Sequence, residues 1–196
     1  MNFKDLIIAT KNRGKIKEFN SLFKDYFDNI YSLLDFDSIP EIIEDRTTFA
    51  GNAIKKAEII GQYFNKITLA DDSGLIVPSL NGAPGIYSAR YAGENSTDED
   101  NCMKLLSEMN GIQNREAKFV CALALVYPDG RKEVFEGECQ GVITEKRRGT
   151  NGFGYDPVFY ISQYDKTMAE IDTESKNMIS HRSNAVKKLI NYLENS

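Results

Sequence analysis

The sequence predicts an alternation of strands and helices around a central strand covered on both faces. Three observations carry this. Short apolar runs at residues 6–9 and 67–70 read as buried strands. Apolar stripes at helical spacing follow, at Ile16, Phe19, Leu22 and Phe23, and again at Phe49, Ala53, Ala57, Ile60 and Phe64. Residues 117–127 give the longest strand pattern, and both alternating sets are apolar: Phe119, Cys121, Leu123, Leu125 and Tyr127 on one face, Val120, Ala122, Ala124 and Val126 on the other. Such a strand needs a layer on each side.

The 196 residues suffice for one domain with a sizeable core, or two small lobes, and no repeat or linker separates independent domains. A hydrophobic content of 41%, with ten Tyr and eleven Phe, excludes a disordered chain. The formal net charge of −5 argues against a nucleic-acid partner, whose affinity would come from Lys and Arg. Cys102, Cys121 and Cys139 are odd in number and lack metal-type spacing, which fits reduced, packed thiols in the cytosol. With no signal-peptide pattern and no apolar run near the ~20 residues of a membrane helix, a soluble cytoplasmic protein without membrane contact is expected.

In chain order, the strand at 6–9 leads into the polar loop Thr10-Lys11-Asn12-Arg13-Gly14-Lys15 and then into a helix. Strand, glycine-containing basic loop and helix can bind phosphate, because helix N-terminal N–H groups face the anion. The spacing is not that of a Walker loop, and a solvated basic turn has the same composition. Residues 30–34 read as a second strand, 40–45 as an acidic connection, and 48–64 as a helix capped by Thr48 or Thr47.

The stretch Ala70-Asp71-Asp72-Ser73-Gly74-Leu75 puts two carboxylates at a strand end, with Ser-Gly as a turn signal. Their repulsion calls for a nearby cation, and a divalent metal held by carboxylate oxygens supplies one. Glu44, just before the 48–64 helix, is a candidate to share that metal with Asp72. A plain polar turn is the alternative.

Strand 75–77 continues to a turn at 81–85 and a helix opened by a capping box from Ser96 to Glu99 and ended by Gly111. Pro128-Asp129-Gly130 turns the 117–127 strand into a hairpin with 132–143. Residues 146–157 carry three glycines that admit a ligand near the backbone, Phe153 and Tyr155 with ring faces for a base, and Asp156 as an acceptor for base N–H groups. A strand resumes at 158–160. His181, the only histidine, stands with Arg182 before a terminal helix at 184–193, a donor cluster suited to an oxo group or phosphate.

Six segments together resemble the non-canonical purine nucleoside triphosphate pyrophosphatases, the inosine/xanthosine triphosphatase family. They are Ala9-Thr10-x-Asn12-x-Gly14-Lys15, Thr48-Phe49-x-x-Asn52-Ala53, Ala70-Asp71-Asp72-Ser73-Gly74-Leu75, Gly85-Ile86-Tyr87-Ser88-Ala89-Arg90-Tyr91, Gly152-Phe153-Gly154-Tyr155-Asp156-Pro157 and Ser180-His181-Arg182. The resemblance runs along essentially the whole chain. It implies a single α/β domain over residues 1–196, with an elongated mixed central sheet and flanking helices forming two lobes around one nucleotide-binding cleft. It also implies a homodimer and Mg²⁺-dependent hydrolysis of ITP, dITP and XTP to the nucleoside monophosphate and pyrophosphate. By the resemblance, Thr10, Asn12, Gly14 and Lys15, with Lys11 and Arg13, hold the triphosphate, Lys56 faces the phosphates, and Ser73 contacts substrate. Glu44 and Asp72 bind Mg²⁺, Asp72 is the general base, and Phe153, Gly154, Tyr155, Asp156, Lys176, His181 and Arg182 surround the purine. Gly51 departs from the pattern, which commonly has Glu there, and Asp45-Arg46 replaces a common Thr-Gly.

The chemistry is consistent with these residues. Lys15 and a metal offset charge building on pyrophosphate as it leaves, and Asp72 deprotonates the attacking water. Asp71 beside Asp72 should raise its pKa and the metal should lower it, and the sequence leaves open which wins. Lys176 and Arg182 as donors would favour a 6-oxo purine over adenine. Two other readings stand: a terminal-phosphate phosphatase using an aspartyl intermediate, and a non-catalytic nucleotide-sensing module.

Overall fold

The structure, a computed structural model, describes residues 3–195. Its seven strands are hydrogen-bonded in the order β2-β1-β3-β4-β5-β6-β7. Two compact units divide the chain. The first takes residues up to Asp72, 121–137 and the segment from Arg182 onward, and the second takes 73–120 and 138–181.

In the first unit, β1 (Phe3–Ile8) runs parallel to β2 (Phe27–Ser32) and to β3 (Thr68–Ile76), with Ile7 opposite Thr68 and Ile8 opposite Leu69. The period of two along each strand sorts side chains to two faces. Leu6, Ile8 and Leu69 pack with Cys121, Leu123 and Leu125 of β4 (Glu116–Val126). Phe19 and Phe23 of α1 (Arg13–Phe23) and Ala185 and Leu189 of α5 (His181–Asn195) complete this cluster. Ile7, Ala9, Ala70, Ala124 and Val126 pack instead against Ala53, Ala57 and Ile60 of α2 (Phe49–Phe64). β4 is buried on both faces, as its two apolar sets require.

The second unit has its own core of Leu75, Val77, Cys102, Leu105, Met109, Phe119, Tyr155 and Phe159. Cys102 and Leu105 come from α3 (Asp98–Glu108). β5 (Lys132–Ile143), the hairpin partner of β4, pairs antiparallel with β6 (Phe159–Ile161), which pairs with β7 (Lys166–Thr167). Helix α4 spans Thr173–Ile179. All three cysteines are buried thiols outside any disulfide, and no helix among the described residues is long and apolar enough to cross a membrane.

Several expected boundaries move, each for a local reason. Ser73 and Gly74 make no turn, because β3 continues through them to Ile76. The second strand starts earlier than residue 30 and stops at Ser32, whose hydroxyl accepts the N–H of Leu34 and opens a 3₁₀ turn. Ser96 does not cap α3. Its hydroxyl donates to the carbonyl of Gly93 (2.7 Å), and the helix starts one residue later, where Thr97 and Asp100 form the capping box. The terminal helix begins at His181, which places His181 and Arg182 in its first turn rather than before it.

Gly141 marks the tightest packing in β5. A Cβ there would lie 2.5 Å from Cε1 of Phe159 and 2.7 Å from the carbonyl oxygen of Tyr160. Gly141→Ala is therefore expected to cost about 1–3 kcal/mol through forced repacking, read as a lowered thermal midpoint. An unchanged midpoint would show that β6 yields freely.

Candidate active site

Asp71 and Asp72 are adjacent in β3, so their side chains point to opposite faces. Asp71 follows Leu69 toward α1 and α5, and Asp72 follows Ala70 toward α2. The expected clash of two carboxylates at a strand end does not arise. Each is treated separately.

Asp71 is buried among cations. Lys15 Nζ of α1 lies 2.8 Å from Asp71 Oδ2, and Arg182 Nη2 of α5 lies 3.6 Å from the same oxygen. Arg182 is itself only 2% exposed and contacts Glu18 through Nη1, with its guanidinium 5.6 Å from the ring centre of Phe19. Burial pushes the Asp71 carboxyl up, but Lys15, Arg182 and Lys56 outweigh it and hold it well below the usual carboxylate range. Asp71 and Glu18 thus share Arg182, and Asp71 also pairs with the half-buried Lys15. Arg182 braces Asp71 from within the core.

Asp72, also buried, has a different neighbourhood. Its Oδ2 accepts from Asn52 Nδ2 at 2.9 Å. Lys56, one turn further along α2, contacts Oε1 of Glu44. Burial works to lower the Lys56 ammonium, and Asp71, Glu44 and Asp72 together raise it instead. For Asp72, burial is the largest influence and pushes its carboxyl up to about 6. The Asn52 bond and Lys56 oppose that shift, and Glu44 reinforces it. The expected upward shift is present, but it comes from burial and Glu44 rather than from Asp71.

The basic loop is the N-terminal end of α1. Asn12 caps the helix by accepting the N–H of Lys15 (3.1 Å), and the Thr10 hydroxyl accepts the N–H of Asn12 (3.2 Å). Arg13, Gly14 and Lys15 are therefore the first helical turn, not loop. Lys11 and Arg13 are exposed. A cavity of about 430 Å³ lined by Thr10, Lys11, Glu44 and Lys56, with Leu33 and Ile42, lies in this same unit.

In the second unit, Gly149, Gly152 and Gly154 all have positive φ. A Cβ on Gly152 would collide with the carboxylate of Asp156. That carboxylate accepts the N–H of Phe153 (2.9 Å) and receives Lys176 Nζ (2.7 Å), which lies 5.0 Å from the Phe153 ring centre. Asp156 and Lys176 thus fold the loop around Phe153. Tyr155 offers no exposed ring face. Its ring belongs to the core and its hydroxyl donates to the Ser88 carbonyl (2.8 Å). His181 is buried and stacked on Phe119, with ring centres 4.8 Å apart. Ser73 is half-buried within β3.

Sequence reasoning missed four contributors. Glu18 balances Arg182 and Asn52 holds Asp72. On α3, Asp98 accepts the Gly154 N–H (2.6 Å) and Cys102 donates to the Gly154 carbonyl (3.4 Å). The four-residue spacing of Asp98 and Cys102 on one helix face was the available signal.

A model of the Ham1 family matches residues 6–192. The chain belongs to the Ham1 family. Among its relatives, the dITP/XTP pyrophosphatase of Bacillus cereus (strain ZK / E33L) is 50% identical over 192 residues, 96% of this chain and 94% of the relative. The dITP/XTP pyrophosphatase of Shouchella clausii (strain KSM-K16) is 49% identical over 193 residues, 97% and 96% of the two chains. The Staphylococcus aureus Ham1 protein structure superposes with a TM-score of 0.88 at 44% identity, covering 97% of this chain and 98% of that one. A Coxiella burnetii HAM1 protein gives 0.89 at 37% identity, with both chains fully covered. The mixed α/β fold with its seven-stranded sheet is that of Ham1 structures.

Opposite stability effects are expected from the two aspartates. Asp71, held low, stabilises the fold above about pH 4, and that contribution is lost as the pH falls further. Asp72, pushed up to about 6, binds its proton more tightly folded than unfolded, so stability falls as the pH rises through the interval from about 4 to 6. With divalent cations chelated, Asp72→Asn should raise the unfolding free energy at pH 7 by roughly 1–3 kcal/mol, at the ~1.4 kcal/mol per pK unit of linkage. Asp71→Asn should lower it by about 3 kcal/mol or more, because it strips a buried cation pair of its partner. Midpoints measured from pH 4 to 8 check both. Equal effects of the two substitutions would contradict the assignment.

Proposed function

We infer that this Ham1 protein is a nucleoside triphosphate pyrophosphatase that converts non-canonical purine nucleotides, dITP, XTP and ITP, to the monophosphate and pyrophosphate. The reading rests first on relatives near 50% identity named dITP/XTP pyrophosphatases. The structural observation that carries the chemistry is Asp72, a buried carboxyl near 6, beside Lys56 and Glu44.

A carboxyl pushed up to about 6 is a far better base at pH 7 than an ordinary Asp, yet remains mostly ionised there. Asp72 takes the proton of the water that attacks the α-phosphorus. Lys15, exposed Lys11 and Arg13, and the N–H groups opening α1 receive the triphosphate oxygens as charge builds on pyrophosphate. Thr10 and Asn12 shape that turn. Lys56 lies toward the same charges. In the second unit, Phe153 supplies the ring face, and Lys176 with Asp156 sets its loop and reads the purine's oxo edge. Arg182 acts through Asp71.

The donor set suits Mg²⁺. Glu44 and Asp72 are hard oxygen donors sharing one ammonium, Lys56, as their present counter-charge. Among the described residues no group of three or more His, Cys, Asp or Glu converges. Mg²⁺ is commonly held by one or two carboxylates, with waters and substrate phosphates completing its shell. When bound, it neutralises phosphate charge and polarises the α-phosphorus. A cytoplasmic homodimer that cleanses the nucleotide pool completes the reading, with light scattering as the check on the dimer.

Incubation of the protein with dITP or XTP and Mg²⁺ should release pyrophosphate and the monophosphate, with dATP turned over far more slowly. Orthophosphate as the first product would replace this reading with a terminal phosphatase, and saturable binding without turnover would replace it with a sensing module. Asp72→Asn should lower kcat by about 10²–10⁴-fold, the usual worth of a general base, with nucleotide affinity changed only a few-fold. Near-normal turnover would remove Asp72 from that role.

A further inference from the structure

Asn52 is only 3% exposed, and both ends of its amide are engaged. Its Oδ1 accepts the backbone N–H of Arg46 at 2.9 Å, and its Nδ2 donates to Asp72 Oδ2 at 2.9 Å. The orientation is forced. A backbone N–H can only donate, so the amide oxygen must face Arg46, and the amide hydrogens must then face Asp72. The carboxylate of Asp72 is thereby fixed about its last torsion, with Oδ2 as the accepting oxygen.

The Arg46 side chain packs over the helical position next to Asn52, which has no side chain of its own. A Cβ on Gly51 would stand 3.0 Å from Arg46 Cβ, 3.3 Å from Arg46 Cγ and 3.0 Å from Thr48 Oγ1. Gly51 does not have the positive φ that demands glycine. Glycine is unfavourable inside a helix, so the close approach of the Arg46 side chain is the physical reason for it. The same segment carries Glu44, two residues before Arg46, and Asp45, which pairs with Lys55 of α2 at 2.8 Å.

We propose that Asn52 is a positioning residue for Asp72, and that the 44–46 segment locks it in place through a close approach that Gly51 permits. This rests on the pyrophosphatase reading for its kinetic meaning. The segment bearing Glu44 and the strand bearing Asp72 are tied through one buried amide, so the two carboxylates keep a set relation before any ligand arrives. Displacement by even ~1 Å of a group that must meet a water and a phosphorus can cost about 10²-fold.

The test uses Asn52→Ala, Gly51→Leu, their double variant, and Gly51→Leu with Arg46→Gly. Kinetics are followed with dITP and Mg²⁺, and crystal structures report on Asp72. Asn52→Ala should lower kcat about 10–100-fold with KM within about threefold, and its structure should show the Asp72 carboxylate turned. Gly51→Leu keeps Asn52 but displaces Arg46, and should give a smaller loss of the same kind. The double variant should be no worse than Asn52→Ala, since both act on one contact. Arg46→Gly, by clearing the space, should restore activity to Gly51→Leu. An unchanged kcat in Asn52→Ala, a loss confined to KM, multiplying losses in the double variant, or an Asp72 carboxylate unmoved in the Asn52→Ala crystal would each overturn the proposal. Wild-type protein inert toward dITP and XTP would instead reject the pyrophosphatase reading, while the Asp72 orientation would still decide the role of Asn52.

Discussion

Everything in the first unit depends on the alternation of β3 across one peptide bond. The same residue type, repeated at 71 and 72, meets two environments because a strand sends neighbours to opposite faces. On one face Asp71 receives Lys15 and Arg182 and stays charged as part of the core. On the other Asp72 receives an amide and pays for its burial with a raised proton affinity. The two faces thus push the two carboxyls apart in proton affinity. A one-residue slip of β3 would exchange their environments, so the parallel pairing of Ile7 with Thr68 and Ile8 with Leu69 also fixes which carboxyl is raised.

The second unit uses a carboxylate differently. Asp156 binds the N–H of Phe153 and the ammonium of Lys176, and its oxygen fills the space a side chain at Gly152 would take. From α3, Asp98 and Cys102 grip the N–H and carbonyl of Gly154. The loop is thus held from both sides, so Phe153 sits on a braced segment although the composition reads as flexible. Such preorganisation is what a recognition loop needs in order to discriminate by geometry rather than by adapting to each ligand.

Much of this was legible in the sequence, because it is local. The β4–β5 hairpin, α2 with its Thr48 cap and the double-faced apolar pattern of β4 follow from neighbouring residues alone. What failed was decided at a distance. Ser73-Gly74 looks like a turn in isolation, but both residues lie inside β3. Ser96 looks like a cap, but the helix opens on the capping box of Thr97 and Asp100. Arg182 stands beside His181 in the sequence, yet it pairs with Glu18, 164 positions away. Single letters carry no sign of such partners. The partners of Asp71, Arg182 and Tyr155 needed coordinates.

The three thiols carry a consequence for the chemical durability of the molecule. Burial pushes Cys102 up to about 12 and Cys139 up to about 11, and Cys121 is packed among aliphatic side chains. Less than about one in a thousand molecules would hold either Cys102 or Cys139 as the nucleophilic thiolate at neutral pH. Alkylating agents and peroxides therefore find little thiolate to attack at Cys102 and Cys139, and oxidation falls first on the exposed thioethers of Met103 and Met178.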